Sequence, residues 1–161
     1  MQFREVIGHK AIKEQLIKSV FENRVSHAQL FLGPEGSGNF ALALAYAQFI
    51  SCTDRQLTDS CGVCSSCRKY NKLIHPDLHF SYPFFRGGEK EDSMQDLEEW
   101  RDLVITNPYF DMEEWRSRLD AQNKQPNINK AECLNILHRL SLKAFESEFK
   151  TMIIWLPEYL K

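Results

Sequence analysis

Four cysteines in the first half of the chain have the spacing of a metal site. Cys52-x8-Cys61-x2-Cys64-x2-Cys67 supplies four thiols. Thiolates bind Zn²⁺ tetrahedrally, and a C-x2-C pair grips one ion from a single turn. A closed set of four leaves no position for a substrate, so the metal predicted here is structural. Gly62, Ser65, Ser66 and Arg68 lie among these thiols, which makes a core or redox set of cysteines the weaker reading. An iron–sulfur cluster is a further alternative, since C-x2-C-x2-C also occurs in ferredoxins. Cys133 stands apart, beside Ile136, Leu137 and Leu140 at helical spacing, and is expected to be a buried core thiol. His27, His75, His79 and His138 have no partner at an informative spacing and read as structural or surface residues.

A second stretch has the shape of a phosphate site without its chemistry. Gly33-Pro34-Glu35-Gly36-Ser37-Gly38-Asn39-Phe40 fits the frame G-x-x-x-x-G-K-[ST]. In that frame glycines let the backbone turn its N–H groups toward a phosphate, and the next helix adds its positive end. The lysine position is Asn39, neutral and short. The hydroxyl position, which would hold Mg²⁺, is Phe40. A second half of such a site is an apolar strand ending in carboxylates that hold Mg²⁺ and orient water. The apolar run at 151–156 instead continues through Trp155 and Leu156 to Pro157, and the first carboxylate is Glu158. ATP hydrolysis is therefore not expected, and no productive ATP–Mg²⁺ site.

The elements that must position these motifs follow from periodicity. Ile12, Leu16, Ile17, Val20 and Phe21 recur at helical spacing, and the pattern fades at Asn23. Residues 28–32 form a short apolar run, predicted to be a buried parallel strand leading into the glycine loop. Residues 40–50 are rich in Ala and Leu and apolar nearly all round, which predicts a buried helix. Residues 79–82 predict a short strand closed by Pro83, and 151–156 another buried strand. The 86–125 stretch is acidic yet carries Trp100, Leu103, Val104, Tyr109, Phe110 and Trp115. It predicts a mobile loop at 86–90, then amphipathic helices split at Asn107-Pro108, because proline disfavours helix in the residue before it. Residues 129–142 predict a helix with Asn129 as N-cap and Glu132 as its capping-box partner.

Composition bounds what these parts can do. The chain has 161 residues, 43% hydrophobic and 12% aromatic, enough to bury a core. A net charge of −2 argues against a basic nucleic-acid face. Arg68, Lys69 and Lys72 beside Cys67 are the one cluster that supports a zinc-module nucleic-acid binder. No apolar run approaches the roughly 20 residues of a membrane span. The amino terminus has no secretory core, so the expected location is cytoplasmic, where clustered cysteines mean metal or catalysis rather than disulfides.

Taken in order, these landmarks resemble the delta-prime subunits of the bacterial DNA polymerase III clamp loader, which are AAA+ proteins. Val6-Ile7-Gly8-His9 looks like the family's amino-terminal box. Ser26-His27-Ala28 leads into the phosphate loop as it does there, and a four-cysteine module follows the loop's helix. Leu140-Ser141-Leu142-Lys143-Ala144-Phe145-Glu146 precedes the last strand. The resemblance implies an α/β fold, a three-layer P-loop parallel sheet with an inserted four-cysteine zinc module at 51–70; the acidic helical stretch at 86–125 is longer than the family leads one to expect and reads as an insertion. The resemblance also implies a chain cut short within the AAA+ domain, without lid and collar domains, from a protein about twice as long. Within the family Asn39, Phe40, Trp155 and Leu156 select the non-hydrolysing delta-prime type over the ATP-hydrolysing gamma/tau type. The implied partners are gamma/tau and delta subunits, with DNA and the sliding clamp reached through the complex. An arginine finger would lie beyond Lys161. The sheet order of the family would leave an empty slot between 28–32 and 152–156, closed by direct pairing, filled by another segment, or satisfied by self-association, which is the expected outcome.

Overall fold

Helix α2, Asn39–Ser51, is the spine of the protein. Its alanines and leucines favour helix, and with apolar residues on every side it must be covered all round. Phe40, Leu44 and Ala47 face one core cluster, while Ala41, Leu42, Ala45, Tyr46, Phe49 and Ile50 face another. The second cluster is completed by the amino-terminal turn Phe3–Glu5, through Phe3 and Val6, and by helix α1, Lys10–Phe21, through Val20. The computed structural model describes residues 1–85 and 92–161, and the loop expected at 86–90 lies outside them.

After α2 come α3, Ser65–Asn71, and strand β1, Leu78–Ser81. Two-residue strands β2, Phe84–Phe85, and β3, Pro126–Asn127, pair antiparallel. Helices α4, Leu97–Thr106, and α5, Met112–Arg118, break at Asn107-Pro108 as proline requires. Helix α6, Lys130–Ser141, precedes β4, Thr151–Ile154. β1 and β4 pair in parallel, with Leu78 opposite Thr151 and Ser81 opposite Ile154.

The acidic stretch is part of the main core and not an appendage to it. Trp100 is fully buried and stacks on Tyr82 with centroids 4.0 Å apart and planes 15° apart. Trp115 and Trp155 each lie 5.3 Å from Trp100, and Phe110 lies 5.2 Å away. Trp115 Nε1–H donates to the Pro83 carbonyl at 2.8 Å, and the Tyr82 hydroxyl to the Ser93 carbonyl at 2.6 Å. The acidic side chains of α4 and α5 lie on the opposite face, so one segment is charged in composition and aromatic in its packing.

Three expectations need correction. Residues 28–32 are not a strand: they have no ladder partner, and Leu30 is 70% and Leu32 82% exposed. A strand exists only where a neighbour takes its backbone bonds, and β4 spends one edge on β1. Among the described residues the parallel sheet is therefore β1 and β4 alone. The slot foreseen between 28–32 and β4 is an open cleft of about 690 Å³, and the two segments have not closed on each other. At α6, the Asn129 carboxamide caps Glu132 N–H at 2.9 Å as expected, but the Glu132 carboxylate turns inward to the Ser93 amide and hydroxyl, at 3.2 and 2.7 Å. Cys133 is half-buried and not a core thiol, because Leu134, Leu137 and Leu140 of the same helix are exposed.

The start of the parallel pair is fixed by Asp77. Its buried carboxylate accepts from the amides of Phe145, Glu146 and Ser147 at 2.6, 2.7 and 2.8 Å, and its carbonyl accepts from Thr151 N–H at 2.8 Å. Burial works to raise this carboxyl's pKa, but the three amides outweigh it and hold it below 3.8. His75, also buried, takes the Asp77 N–H on Nδ1 at 3.1 Å, and burial pulls its pKa below 6.5 against the upward influence of Asp77 and Glu146. His79 is lowered likewise by burial, then by Lys150 and Arg139. Both histidines have folded pKa values below their unfolded ones, so their contribution is complete above about pH 6.5 and declines as pH falls toward the folded values. Asp77 contributes above 3.8 and is lost as pH falls through its lowered value. Thermal unfolding followed from pH 8 to pH 3 should show the histidine contribution being lost below about pH 6.5 and a steeper decline below about 4. Replacing both histidines by Gln should make the decline below about pH 6.5 shallower, and an unchanged slope there would contradict the assignment.

Candidate metal centre and glycine loop

The four cysteines converge from three local structures. Cys52 ends α2, Cys64 is the N-cap of α3, Cys67 lies in that helix's first turn, and Cys61 sits on the loop between. Gly62, with φ of +76°, turns the chain between Cys61 and Cys64 in a conformation that a side chain would oppose. Cys52 Sγ lies 3.6 Å from Cys61 Sγ and 4.0 Å from Cys64 Sγ, and Cys61 Sγ lies 3.9 Å from Cys67 Sγ. All four sulfurs fall within 4.8 Å of one another. A tetrahedron with metal–sulfur bonds of about 2.3 Å has edges of about 3.8 Å, so the set fits a single ion. A cluster of two or four irons places its thiolates on different iron atoms and needs a wider ring.

Backbone amides point at three of the four sulfurs. The amides of Cys61, Cys64 and Cys67 donate to the sulfurs of Cys52, Cys61 and Cys64 at 3.3, 3.3 and 3.4 Å. At Cys64 burial works upward, but hydrogen bonds from Thr53 and Cys67 bring the thiol down to about 6. Burial raises Cys52 and Cys67. The module also holds the amino terminus: the Asp59 carboxylate accepts from the amides of Phe3 and Arg4 at 2.9 and 3.0 Å, and Gln2 Nε2 donates to the Ser60 carbonyl at 2.5 Å. Of the adjacent cations, Lys69 is committed to an ion pair with Glu146, while Arg68 and Lys72 remain exposed.

The glycine loop keeps its turn, and Asn39 bonds to its backbone. Gly36 and Gly38 have φ of +71° and +87°, and Ser37 N–H donates to the Pro34 carbonyl at 3.1 Å. Asn39 Oδ1 accepts the Phe40 N–H at 2.9 Å, and its Nδ2 donates to the Phe31 carbonyl at 3.4 Å. The side chain standing where a phosphate-binding lysine would be is thus spent on the loop's own backbone. Phe40 is buried, with its ring 5.7 Å from that of Trp100. Trp155, at the end of β4, is buried against Phe110 at 4.7 Å, and Leu156 has a left-handed backbone at φ of +52°. The sequence pattern anticipates a strand before Trp155, but β4 is shorter than the 151–156 expected and half-buried rather than buried; it gives no sign of Tyr109, which lies against the loop, because an aromatic residue after Pro108 carries no signal of that contact.

No helix among the described residues is long and apolar enough to cross a membrane. The mixed α/β arrangement with a parallel pair, a glycine loop and a helix behind it fits the P-loop AAA+ fold. A sequence model of the family described as "DNA polymerase III, delta subunit" matches residues 8–161. Subunit delta' of DNA polymerase III from Bacillus subtilis is 33% identical over 72 residues, 45% of this chain and 22% of that protein. Subunit tau from the same organism is 30% identical over 67 residues, 42% of the chain and 12% of the relative. Protein STICHEL-like 4 of Arabidopsis thaliana is 32% identical over 69 residues, 43% of the chain and 7% of the relative. The chain therefore covers less than a quarter of each of these relatives. With nearly its whole length matched, the chain belongs to the DNA polymerase III delta subunit family of clamp-loader proteins.

Proposed function

We propose that the chain acts as a non-catalytic, delta-prime-type subunit of a DNA polymerase III clamp loader, a cytoplasmic protein that helps assemble the sliding clamp on primed DNA. The observation that carries this reading is that three of the four positions departing from the hydrolysing pattern serve the fold. Asn39 ties the loop to itself, while Phe40 and Trp155 pack in the aromatic core. Gamma/tau and delta subunits are the partners of such a protein, and DNA and the clamp are met through them. Residues 51–70 form its structural zinc module and 86–125 its acidic insertion. Self-association through the outer edge of β4, which has no strand beside it among the described residues, belongs to the same reading.

ATP turnover with Mg²⁺ should be absent, and Asn39→Lys should not create it. The lysine would restore a phosphate cation, but no hydroxyl at Phe40 and no carboxylate at Trp155 or Leu156 would hold the metal. Steady phosphate release by the unmodified protein, abolished by Asn39→Ala, would sink the reading. It would favour the gamma/tau type, which the likeness to a tau subunit keeps as the alternative. The nucleic-acid-binding alternative rests on Arg68 and Lys72 once Lys69 is paired with Glu146, and salt-dependent DNA binding by the isolated chain would revive it.

A further inference from the structure

The 92–125 segment plays no part in the function just proposed, yet it reaches the glycine loop. After α4 the Asn107 carboxamide accepts Tyr109 N–H at 3.1 Å, and the turn through Pro108 brings the Tyr109 side chain onto the loop. The Tyr109 hydroxyl accepts the Ile7 backbone N–H at 2.8 Å. The ring lies on Gly38 so closely that a Cβ there would come within 2.8 Å of Tyr109 Cε1. On the same side, His9 Nε2 meets the Ser37 carbonyl at 2.5 Å. One phenol and one imidazole thus bind the amino-terminal Ile7-Gly8-His9 stretch to the loop. The next residue, Phe110, is buried against Phe40, Trp100 and Trp155, with centroids 5.6, 5.2 and 4.7 Å away. The burial of Phe110 and the Asn107 bond hold the backbone at Tyr109 in place beside the loop.

We infer that Tyr109 is a built-in stopper of the glycine loop. One edge of the ring packs against Gly38 while its hydroxyl takes the Ile7 N–H, so the phenol fills space and uses a backbone donor that a bound ligand would otherwise take. The chain supplies this phenol from its own acidic segment. The inference rests on the non-hydrolysing reading and gives the loop's silence a second cause that can be separated from it. Asn39 and Phe40 remove the chemistry, and Tyr109 covers Gly38 on the side of Ile7 and His9. It also gives the acidic segment a task at the loop in addition to its packing.

The test uses the whole chain, a fluorescent ADP analogue with and without Mg²⁺, and ATP turnover measured in parallel. Tyr109→Ala should bind the analogue at least about tenfold more tightly than the unmodified protein. Tyr109→Phe keeps the ring and loses only the bond to Ile7. It should stay closed to the analogue, while hydrogen exchange at the Ile7 amide rises about tenfold, on the scale of one hydrogen bond. Equal binding by the unmodified protein and Tyr109→Ala, or no gain in a folded Tyr109→Ala, overturns the stopper. So does unchanged Ile7 exchange in Tyr109→Phe, which decides the matter alone if Tyr109→Ala loses its fold. ATP turnover by the unmodified protein overturns the non-hydrolysing reading, whereas nucleotide binding without turnover overturns the stopper only.

Discussion

Elemental analysis of the purified protein should return close to one zinc per chain, and replacing any of Cys52, Cys61, Cys64 or Cys67 by Ser should abolish stoichiometric binding. Sulfur separations of 3.6 to 4.0 Å fit one tetrahedral ion and are far too long for disulfides. The effect on stability should be large. Structural zinc sites bind with apparent free energies on the order of 10 kcal/mol, much of which is folding free energy. Here the loss would spread, because Asp59 and Ser60 of the same loop hold the amino-terminal turn. Chelation should therefore expose Phe3 and Val6 to solvent and lower the unfolding midpoint sharply. A preparation without metal whose four thiols titrate freely in the folded protein would dispose of the site.

Trp100→Ala should be the most damaging single change in the core, costing about 3–5 kcal/mol. Trp100 stands at the meeting of α4 with Phe40 from α2, Tyr82 next to β1, Phe110 and Trp115 from the acidic segment, and Trp155 from β4. Removing the indole leaves a void bordered by aromatic rings that cannot all collapse into it. A domain has only about 5–15 kcal/mol to lose, so the variant should be partly unfolded at about 37 °C. Urea titration followed by circular dichroism measures the loss. Trp100→Phe should cost less than half as much, and equal costs for Ala and Phe would mean that the ring packing is not what holds the segment.

What was legible in the sequence was local. The cysteine spacing, the glycine loop, the buried character of α2 and the break at Asn107-Pro108 are each written within a few residues, and each took the predicted form. What was missed depends on partners far away in sequence. Residues 28–32 have the apolar content of a strand, but no neighbour among the described residues takes their bonds. β2 and β3, two residues each, are too short to leave a pattern. Glu132 sits at the right offset for a capping box, yet Ser93 offers its carboxylate two buried donors. Cys133 shares a face with apolar residues, and only the tertiary structure shows that this face is largely uncovered. Asp77 is a lone carboxylate before a strand, and nothing near it announces the amides of 145–147.

The Asp77 clamp bears on the order in which a growing chain acquires this structure. Asp77 and Phe145 are 68 positions apart, whereas Cys52 and Cys61 are 9 apart. Short loops close in well under a microsecond, and pairings distant in sequence come late. On a ribosome adding about 5–20 residues per second, the metal turn can form once Cys67 has emerged. β1 must wait several seconds more for Thr151. During that interval β1 offers both of its edges, and α4 and α5 are made before the strand that their tryptophans will cover. A metal held by this four-cysteine turn would therefore give the nascent chain an anchored first half well before its sheet can exist.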